Sequence, residues 1–481
     1  MMLTHDHPFL HLARSAEREP GAVAISTVDV DMSYAELLDT SLRFAALLRE
    51  RGVVPGDVVG VRAPALVELS LAFAIFHEAA VGTNVPLGYL ESGGTAIDWV
   101  VAVAPLESFP ADRQIILDTE TMQRVATLSL GNEMIPYPPD DAVCRLPFSS
   151  GTTGRPKPVP LTVDTLVDRC IDRREQWMPA QPYFCHLGLS TGLTFMTFYA
   201  HVILGETYIS PGEGAQVLEQ LRRHNVACLM ASPHQLSVLL TSVRASTATF
   251  PALKTIMSAG AALPDFLGQQ LMRRFDADLV VTYASTEAGS TAIRLGADST
   301  DGSAGTVING VEVAAFDEAG GRLPDGAQGL IGVRRARQPR SYLNEPEATA
   351  RAFREGYFFS GDLGRVVGDQ LYLAGRQSEI INAAGIKVDP TRVEAAAYEW
   401  DGVQESAAFG FFDSRGLEVI ALVFVSDASV AVNDLMSHLR SRLGESTPTR
   451  VARVDDIPRN HMGKVNRDEL ARLFSSRVDI P

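Results

Sequence analysis

Cysteine is scarce: the 481 residues hold four, at Cys144, Cys170, Cys185 and Cys228. No two stand in a C-x-x-C spacing, so neither a zinc site nor a redox motif of that type is encoded. Sparse, irregularly spaced thiols suit a reducing compartment. No basic n-region followed by an apolar h-region opens the chain, which argues against a signal peptide. The most apolar helical run, from Leu69 to Val81, contains His77 and Glu78 and is shorter than the ~20 residues of a membrane span. A cytoplasmic protein with no membrane span is expected. Basic charge is in deficit, with 42 Lys and Arg against 58 Asp and Glu, a net charge of −16. That balance argues against a nucleic-acid partner, which usually needs a basic patch. It leaves room for a single nucleotide, whose phosphates need only local donors. No repeat of solenoid period is present. The Walker pattern Gly-x4-Gly-Lys-[Ser/Thr] is missing as well, which disfavours a phosphate-loop NTPase.

What the chain does contain is an alternation of helix and strand signals. Ser33 and Glu36 form a capping-box pattern before Tyr34, Leu37, Leu38, Leu42, Ala45 and Leu48, predicting a helix over 33–52 that Gly52 stops. Val58–Val61 reads as a buried strand and Leu69–Ala80 as a helix. Strands are expected at Ala227–Met230, Thr255–Met257 and Leu279–Tyr283, with helices at Gln235–Arg244 and Pro264–Phe275 between them. That rhythm predicts an α/β architecture with largely parallel sheets. Beyond about residue 305, Gly, Pro and Asp punctuate short strands at Gly310–Phe316, Gly329–Val333, Tyr357–Phe359 and Gln370–Leu373, a small β-rich region. An α+β unit follows from Glu379, with helices at Thr391–Glu399 and Asp434–Leu443 and a strand at Glu418–Val425. Gly375–Ser378 is the candidate linker. The stretch from about 85 to 135 shows only one obvious strand, Gln114–Leu117.

Four segments carry chemistry. The loop Ser149-Ser150-Gly151-Thr152-Thr153-Gly154 is followed by Lys157. Its amides and hydroxyls can converge on phosphate oxygens while the lysine adds charge. Alone, such a loop is equally compatible with a surface turn. Tyr283-Ala284-Ser285-Thr286-Glu287 leaves the carboxyl end of an apolar strand, where open α/β sheets bind ligands. Ser360-Gly361-Asp362 precedes Gly375-Arg376, and Pro458–Arg467 carries Lys464 in a Gly-containing loop. Each of these is bland alone.

In this order and spacing, together with Gly260-Ala261-Ala262-Leu263-Pro264, they resemble the adenylate-forming superfamily: acyl-CoA synthetases, adenylation domains of peptide synthetases and beetle luciferases. The resemblance spans about residues 10 to 475 and is greatest to a stand-alone acyl-CoA ligase. It implies an N-terminal body over 1–376, a hinge at 377–378 centred on Ser378, and a mobile α+β lid over 379–481. It implies activation of a carboxylic acid by ATP to acyl-AMP, with pyrophosphate released, then transfer to a thiol of coenzyme A or of a carrier protein's phosphopantetheine. Such chemistry rests on holding two anions in line and neutralising charge at phosphorus. By resemblance, Ser149, Ser150, Gly151, Thr152, Thr153, Gly154 and Lys157 hold the phosphates. Gly260, Ala261 and Tyr283 flank the adenine. Asp362 and Arg376 serve the ribose, and Thr286 the α-phosphate. Glu287 helps hold Mg²⁺, and Lys464 reaches the acid carboxylate and the α-phosphate region.

The chain departs from the family pattern at several points. Pro158 and Ala284 stand where glycine is usual, and Ser378 where the hinge usually carries Asp or Lys. His186 is a weak counterpart of the family's pocket histidine, which strict alignment replaces with Leu189. Phe184–Leu193 lacks the Asp that pairs the ammonium of an amino acid, and a buried unpaired ammonium is costly. An acid without a free α-amine is therefore expected, against a wall that includes His186, Ser190, Gly192, His234 and Ala259. Only a short tail follows Arg467, so a carrier acceptor is expected on a separate chain. Transfer to an amine, or a non-catalytic nucleotide-binding relative, are the alternatives.

Overall fold

The computed structural model describes residues 7–129, 139–149, 156–176, 181–189, 191–212, 215–244, 249–298, 302–383, 386–413, 417–426, 430–459 and 464–476. The chain forms two compact units. One holds Met1–Leu229, Ser285–Gly289 and Arg335–Gly356; the other holds Met230–Ala284, Ser290–Arg334 and Tyr357–Pro481.

The first unit is built on a six-stranded sheet in the order Leu161–Thr162, Val143–Arg145, Val81–Asn84, Val58–Arg62, Trp99–Ala102, Gln114–Ile116. Its central pairs are parallel. Parallel strands are covered on both faces, which is why Val58–Val61 and Trp99–Ala102 read as unbroken apolar runs and are buried. The expected helix is observed at Tyr34–Glu50, and Ser33 and Glu36 form both bonds of the capping box. Its Phe44, Leu47 and Leu48 pack with Val59, Leu71, Trp99, Val101 and Ile115 in one core.

The stretch 85–135 is richer than its sequence pattern suggested. It holds helices Leu87–Glu91 and Thr119–Thr127 and the strands Trp99–Ala102 and Gln114–Ile116, which complete one edge of the sheet. Trp99–Ala102 escaped notice because four buried residues show no alternation, and periodicity cannot classify so short a run. The helix Thr119–Thr127 begins at Asp118, whose carboxylate accepts from Thr121 N at 2.8 Å.

In the second unit, Thr255–Ala259 and Asp278–Ser285 pair in parallel, with Ala259 opposite Thr282. Antiparallel pairing then joins Gly289–Leu295 to Ser303–Val307, Gln370–Arg376, Tyr357–Val367 and Gly329–Arg335. The candidate linker is corrected here. Gly375 and Arg376 are strand residues, because Arg376 pairs with Asp362, and the turn begins at Gln377. A three-stranded sheet follows, formed by Val403–Phe412, Glu418–Ser426 and Arg450–Arg453. Two cores form with this sheet. One gathers Val393, Leu422, Phe424, Leu435 and Leu439; the other gathers Phe409, Val423, Ile457 and Leu470. Val403–Phe412 was not expected as a strand, since Gln404, Glu405, Ser406 and Gly410 dilute its apolar pattern.

Candidate active site

Ser150, Gly151, Thr152, Thr153 and Gly154 of the expected phosphate loop, and Ser190 of the expected acid wall, lie outside the described residues. The residues that flank the loop are described. Phe148–Ser149 and Lys157–Pro158 pair antiparallel, with Ser149 directly opposite Lys157. A two-stranded clip therefore fixes both ends of the Ser/Thr/Gly segment. Pro158 fits this clip opposite Phe148, where it stands in place of the usual glycine. Ser149 is buried, and its hydroxyl lies within hydrogen-bonding reach of the Tyr342 hydroxyl.

In the same unit, Thr286 and Glu287 lie in the turn that links Asp278–Ser285 to Gly289–Leu295. Arg169, from the helix Val163–Gln176, donates to the Thr286 carbonyl at 2.8 Å and to the Glu287 carbonyl at 2.5 Å. Arg335 donates to the next carbonyl, Ala288, at 3.3 Å. The turn is thus held by its backbone, leaving the Thr286 and Glu287 side chains to be aimed. The Glu287 carboxylate is buried and accepts from the Tyr342 hydroxyl at 2.6 Å. Burial, then Glu287, pushes the Tyr342 hydroxyl far up its titration range, so Tyr342 stays a donor at neutral pH. Lys157 Nζ sits 5.7 Å over the Tyr342 ring, which brings the lysine into the Glu287 cluster. Gly192 opens the helix Gly192–Leu204 against this turn. A Cβ there would meet Pro147 Cβ at 3.3 Å and Thr286 Cγ2 at 3.9 Å.

In the second unit, Asp362 gathers the other expected residues. Its carboxylate accepts from Arg376 Nε at 2.9 Å, from Ser360 Oγ at 2.7 Å and from the Tyr283 hydroxyl. Asp362 is buried, and Arg376 keeps about a third of its side chain exposed. Burial and the Asp362 charge push the Tyr283 hydroxyl well up, so it too is a donor. Gly260 and Ala261 follow Ala259, and Tyr283 follows Thr282, so these residues leave the carboxyl ends of neighbouring parallel strands. Ser258 Oγ and Thr282 Oγ1 are buried there with no partner among the described residues.

The remaining expected residues are more dispersed. Ala259 is buried. His186 is largely buried, its ring 6.0 Å from that of Phe184, and burial pushes its imidazole down to about 4, leaving it neutral at pH 7. His234 opens the helix Pro233–Arg244 with Nδ1 3.0 Å from Glu405. Ser378 is exposed in the turn after Arg376. Lys464 is half-buried and adjoins Val465, whose backbone bridges to Arg459.

Sequence reasoning missed Tyr342, Arg169 and Ser360. Ser360 stood inside a recognised motif. Tyr342 and Arg169 are brought to Glu287 by the fold from far along the chain, with no local pattern to mark them.

The described residues hold no cluster of three or more His, Cys, Asp or Glu able to enclose a metal. Glu287 is a buried carboxylate, and Mg²⁺ is an ion that can take one protein carboxylate and complete its shell with water and phosphate oxygens. No described helix is long and apolar enough to cross a membrane.

Comparison with known proteins bears on the whole length of the chain. The sequence matches the family described as "AMP-binding enzyme" over residues 12–91 and 95–343. It matches "AMP-binding enzyme C-terminal domain" over residues 392–464. It is 29% identical to a feruloyl-CoA synthase of Amycolatopsis, over 96% of this chain and 98% of that protein. It is 26% identical to an oxalate–CoA ligase of Arabidopsis thaliana, with the same coverage of 96% and 98%. Its fold is similar to that of ATP-bound MatB from Rhodopseudomonas palustris, with a TM-score of 0.85, 25% identity and coverage of 98% and 99%.

Proposed function

The chain belongs to the AMP-binding enzyme family, and from that premise we propose that it is an acid–thiol ligase that activates a carboxylic acid with ATP. In the first half-reaction an oxygen of the acid carboxylate attacks the α-phosphorus, and the bond to pyrophosphate breaks. In the second, the sulfur of a thiol attacks the acyl carbonyl carbon, the thiol proton is lost, and AMP leaves. Full-length similarity to CoA ligases favours coenzyme A as the thiol, with a separate carrier protein as the variant to test.

The observation that carries this reading is the clip at Ser149 and Lys157 beside the buried Glu287. It supplies a buried hydroxyl, a cation and one acceptor carboxylate, as Mg-ATP binding requires. We assign Ser149–Gly154 and Lys157 to the β- and γ-phosphates, Thr286 to the α-phosphate, and Glu287 to Mg²⁺. Bound there, Mg²⁺ would neutralise phosphate charge. Tyr342 would orient Glu287, and Arg169 would fix the turn that carries it. Asp362 and Arg376 would take the ribose, and Gly260, Ala261 and Tyr283 the adenine. Lys464, on the segment 379–481 beyond a hinge at 377–378, would contact the acid carboxylate and α-phosphate. A lysine there stabilises charge that develops at phosphorus.

Gly192 and the neutral His186 are assigned to the acid wall. No acidic residue stands in Phe184–Leu193, which favours an acid lacking a free α-amine. The relatives named above include one aromatic acid and one short diacid, so both classes belong in the test. That test is pyrophosphate release from ATP across short, long, aromatic and dicarboxylic acids, followed by product identification with coenzyme A, a carrier protein or an amine. Release that requires an acid supports the reading. Orthophosphate release without any acid contradicts it.

A further inference from the structure

A cavity in the first unit brings a buried cation to the helix that starts at the acid wall. It is lined by Glu68, Asn84 and Arg145 and by Leu189 and Phe195, among others. Arg145 ends the strand Val143–Arg145, paired with Gly82. A Cβ at Gly82 would lie 3.1 Å from Arg145 Nη1, so the glycine leaves room for the guanidinium. The guanidinium carbon sits 3.8 Å from the centre of the Phe195 ring. Arg145 is only 5% exposed, and its Nε has no hydrogen-bond partner among the described residues. Burial pushes the guanidinium down to about 10, which leaves a cation at neutral pH.

The counter-charge is held at one remove. Arg145 Nη2 donates to Asn84 Oδ1 at 2.6 Å, and Asn84 Nδ2 donates in turn to Glu68 Oε1. A neutral amide thus stands between the two charges. Burial also pushes the Glu68 carboxyl up, which weakens it as a counter-charge. A buried cation with an orphaned donor and an indirect partner is costly, and an anionic oxygen would relieve that cost. The cavity volume is about 10 Å³, close to what one water needs, so it suits one ligand oxygen rather than a large group.

The cavity borders the turn that carries Thr286. Leu189 belongs to the segment Phe184–Leu193, and Phe195 lies in the first turn of the helix Gly192–Leu204. Gly192 and Phe195 are three residues apart and share a helix face, ~4.5 Å apart along the axis. Thr286 stands against Gly192, and Arg145 against Phe195. We propose that Arg145 is a specificity-determining residue: its cavity takes one oxygen of a second carboxylate, and the substrate is a short dicarboxylic acid. The proposal rests on the reading above, in which the acid is activated at the α-phosphate beside Thr286, and it names the class of that acid.

The test measures kcat/KM for acid-dependent pyrophosphate release by the full chain. The acids are short, of matched length, and end in a carboxylate, a hydroxyl or a methyl group. The parent should prefer the carboxylate end, then the hydroxyl, then the methyl. Arg145→Met should lower the carboxylate-to-methyl ratio by about tenfold or more, chiefly through KM. If Arg145→Met fails to fold, Glu68→Gln decides. It keeps the bond to Asn84 and removes the competing charge, so the same ratio should rise by about threefold or more. A parent that prefers the methyl or hydroxyl end, or an Arg145→Met variant that slows every acid equally, would overturn the proposal and leave Arg145 a structural cation. An unchanged or lowered ratio in Glu68→Gln would overturn it too. Absence of pyrophosphate release with any acid would overturn the underlying reading instead.

Discussion

The buried Asp362 is the most constrained residue of the candidate site, since Arg376, Ser360 and Tyr283 all donate to it. Asp362→Asn keeps the shape and removes the charge. ATP affinity measured by calorimetry should fall by about tenfold or more, because hydrogen bonds to a charged group are worth ~1.5–3 kcal/mol. An unchanged affinity would remove Asp362 from the ribose assignment. A second residue-scale prediction concerns acid stability. His7 caps the helix Pro8–Arg18 by accepting from Phe9 N at 3.4 Å, which requires a neutral Nδ1. Burial, with His11 and His77 adding to it, pushes its imidazole from 6.5 down to about 4. The unfolded chain therefore binds the extra proton between those values. The contribution of His7 is complete above about pH 6.5 and is lost as pH falls toward 4. Denaturant melts of the parent and His7→Gln should converge over that window, since glutamine can cap without titrating. Curves that stay parallel would contradict it. At this scale the sequence marked candidates that stand in contiguous runs, such as Thr286-Glu287 and the motif around Asp362. Tyr342, Arg169 and Glu405 were invisible because only the fold brings them to their partners.

Elements were legible where one physical signal dominated. The helix Tyr34–Glu50 announced itself through its cap and period, and the strands of the parallel pair through unbroken apolar runs. Trp99–Ala102 is too short to classify, and Val403–Phe412 mixes polar and small residues into its apolar pattern. Gly305 tests how tightly the antiparallel strands of the second unit are joined. Its φ is +98°, and a Cβ there would lie 2.0 Å from the Ile293 carbonyl oxygen, on the paired strand. Gly305→Ala should cost roughly 3 kcal/mol or more by denaturant midpoint, through backbone strain and a clash that backbone cannot yield to cheaply. Gly260→Ala is the control. That glycine has φ +94° but open space around its Cβ, so its cost should be limited to strain, about 1 kcal/mol. Equal costs at the two sites would contradict the crowding argument.

The whole molecule carries a net charge of −16, and the cations we assign to an anionic nucleotide are few: Lys157, Arg376 and Lys464. Overall charge therefore says little about this ligand, and a few local donors say much. Lys464→Ala should lower the rate of acid activation by about 10²-fold or more while the melting profile stays that of the parent. Unchanged activation would remove the lysine from its assigned role. The central claim, that an acid oxygen attacks the α-phosphorus of ATP, is tested most directly by isotope transfer. The acid giving the fastest pyrophosphate release is labelled with ¹⁸O in its carboxylate and taken to thioester with ATP and coenzyme A, and the AMP is analysed by mass spectrometry. One labelled oxygen in AMP is the predicted result. Turnover that yields unlabelled AMP would contradict the account.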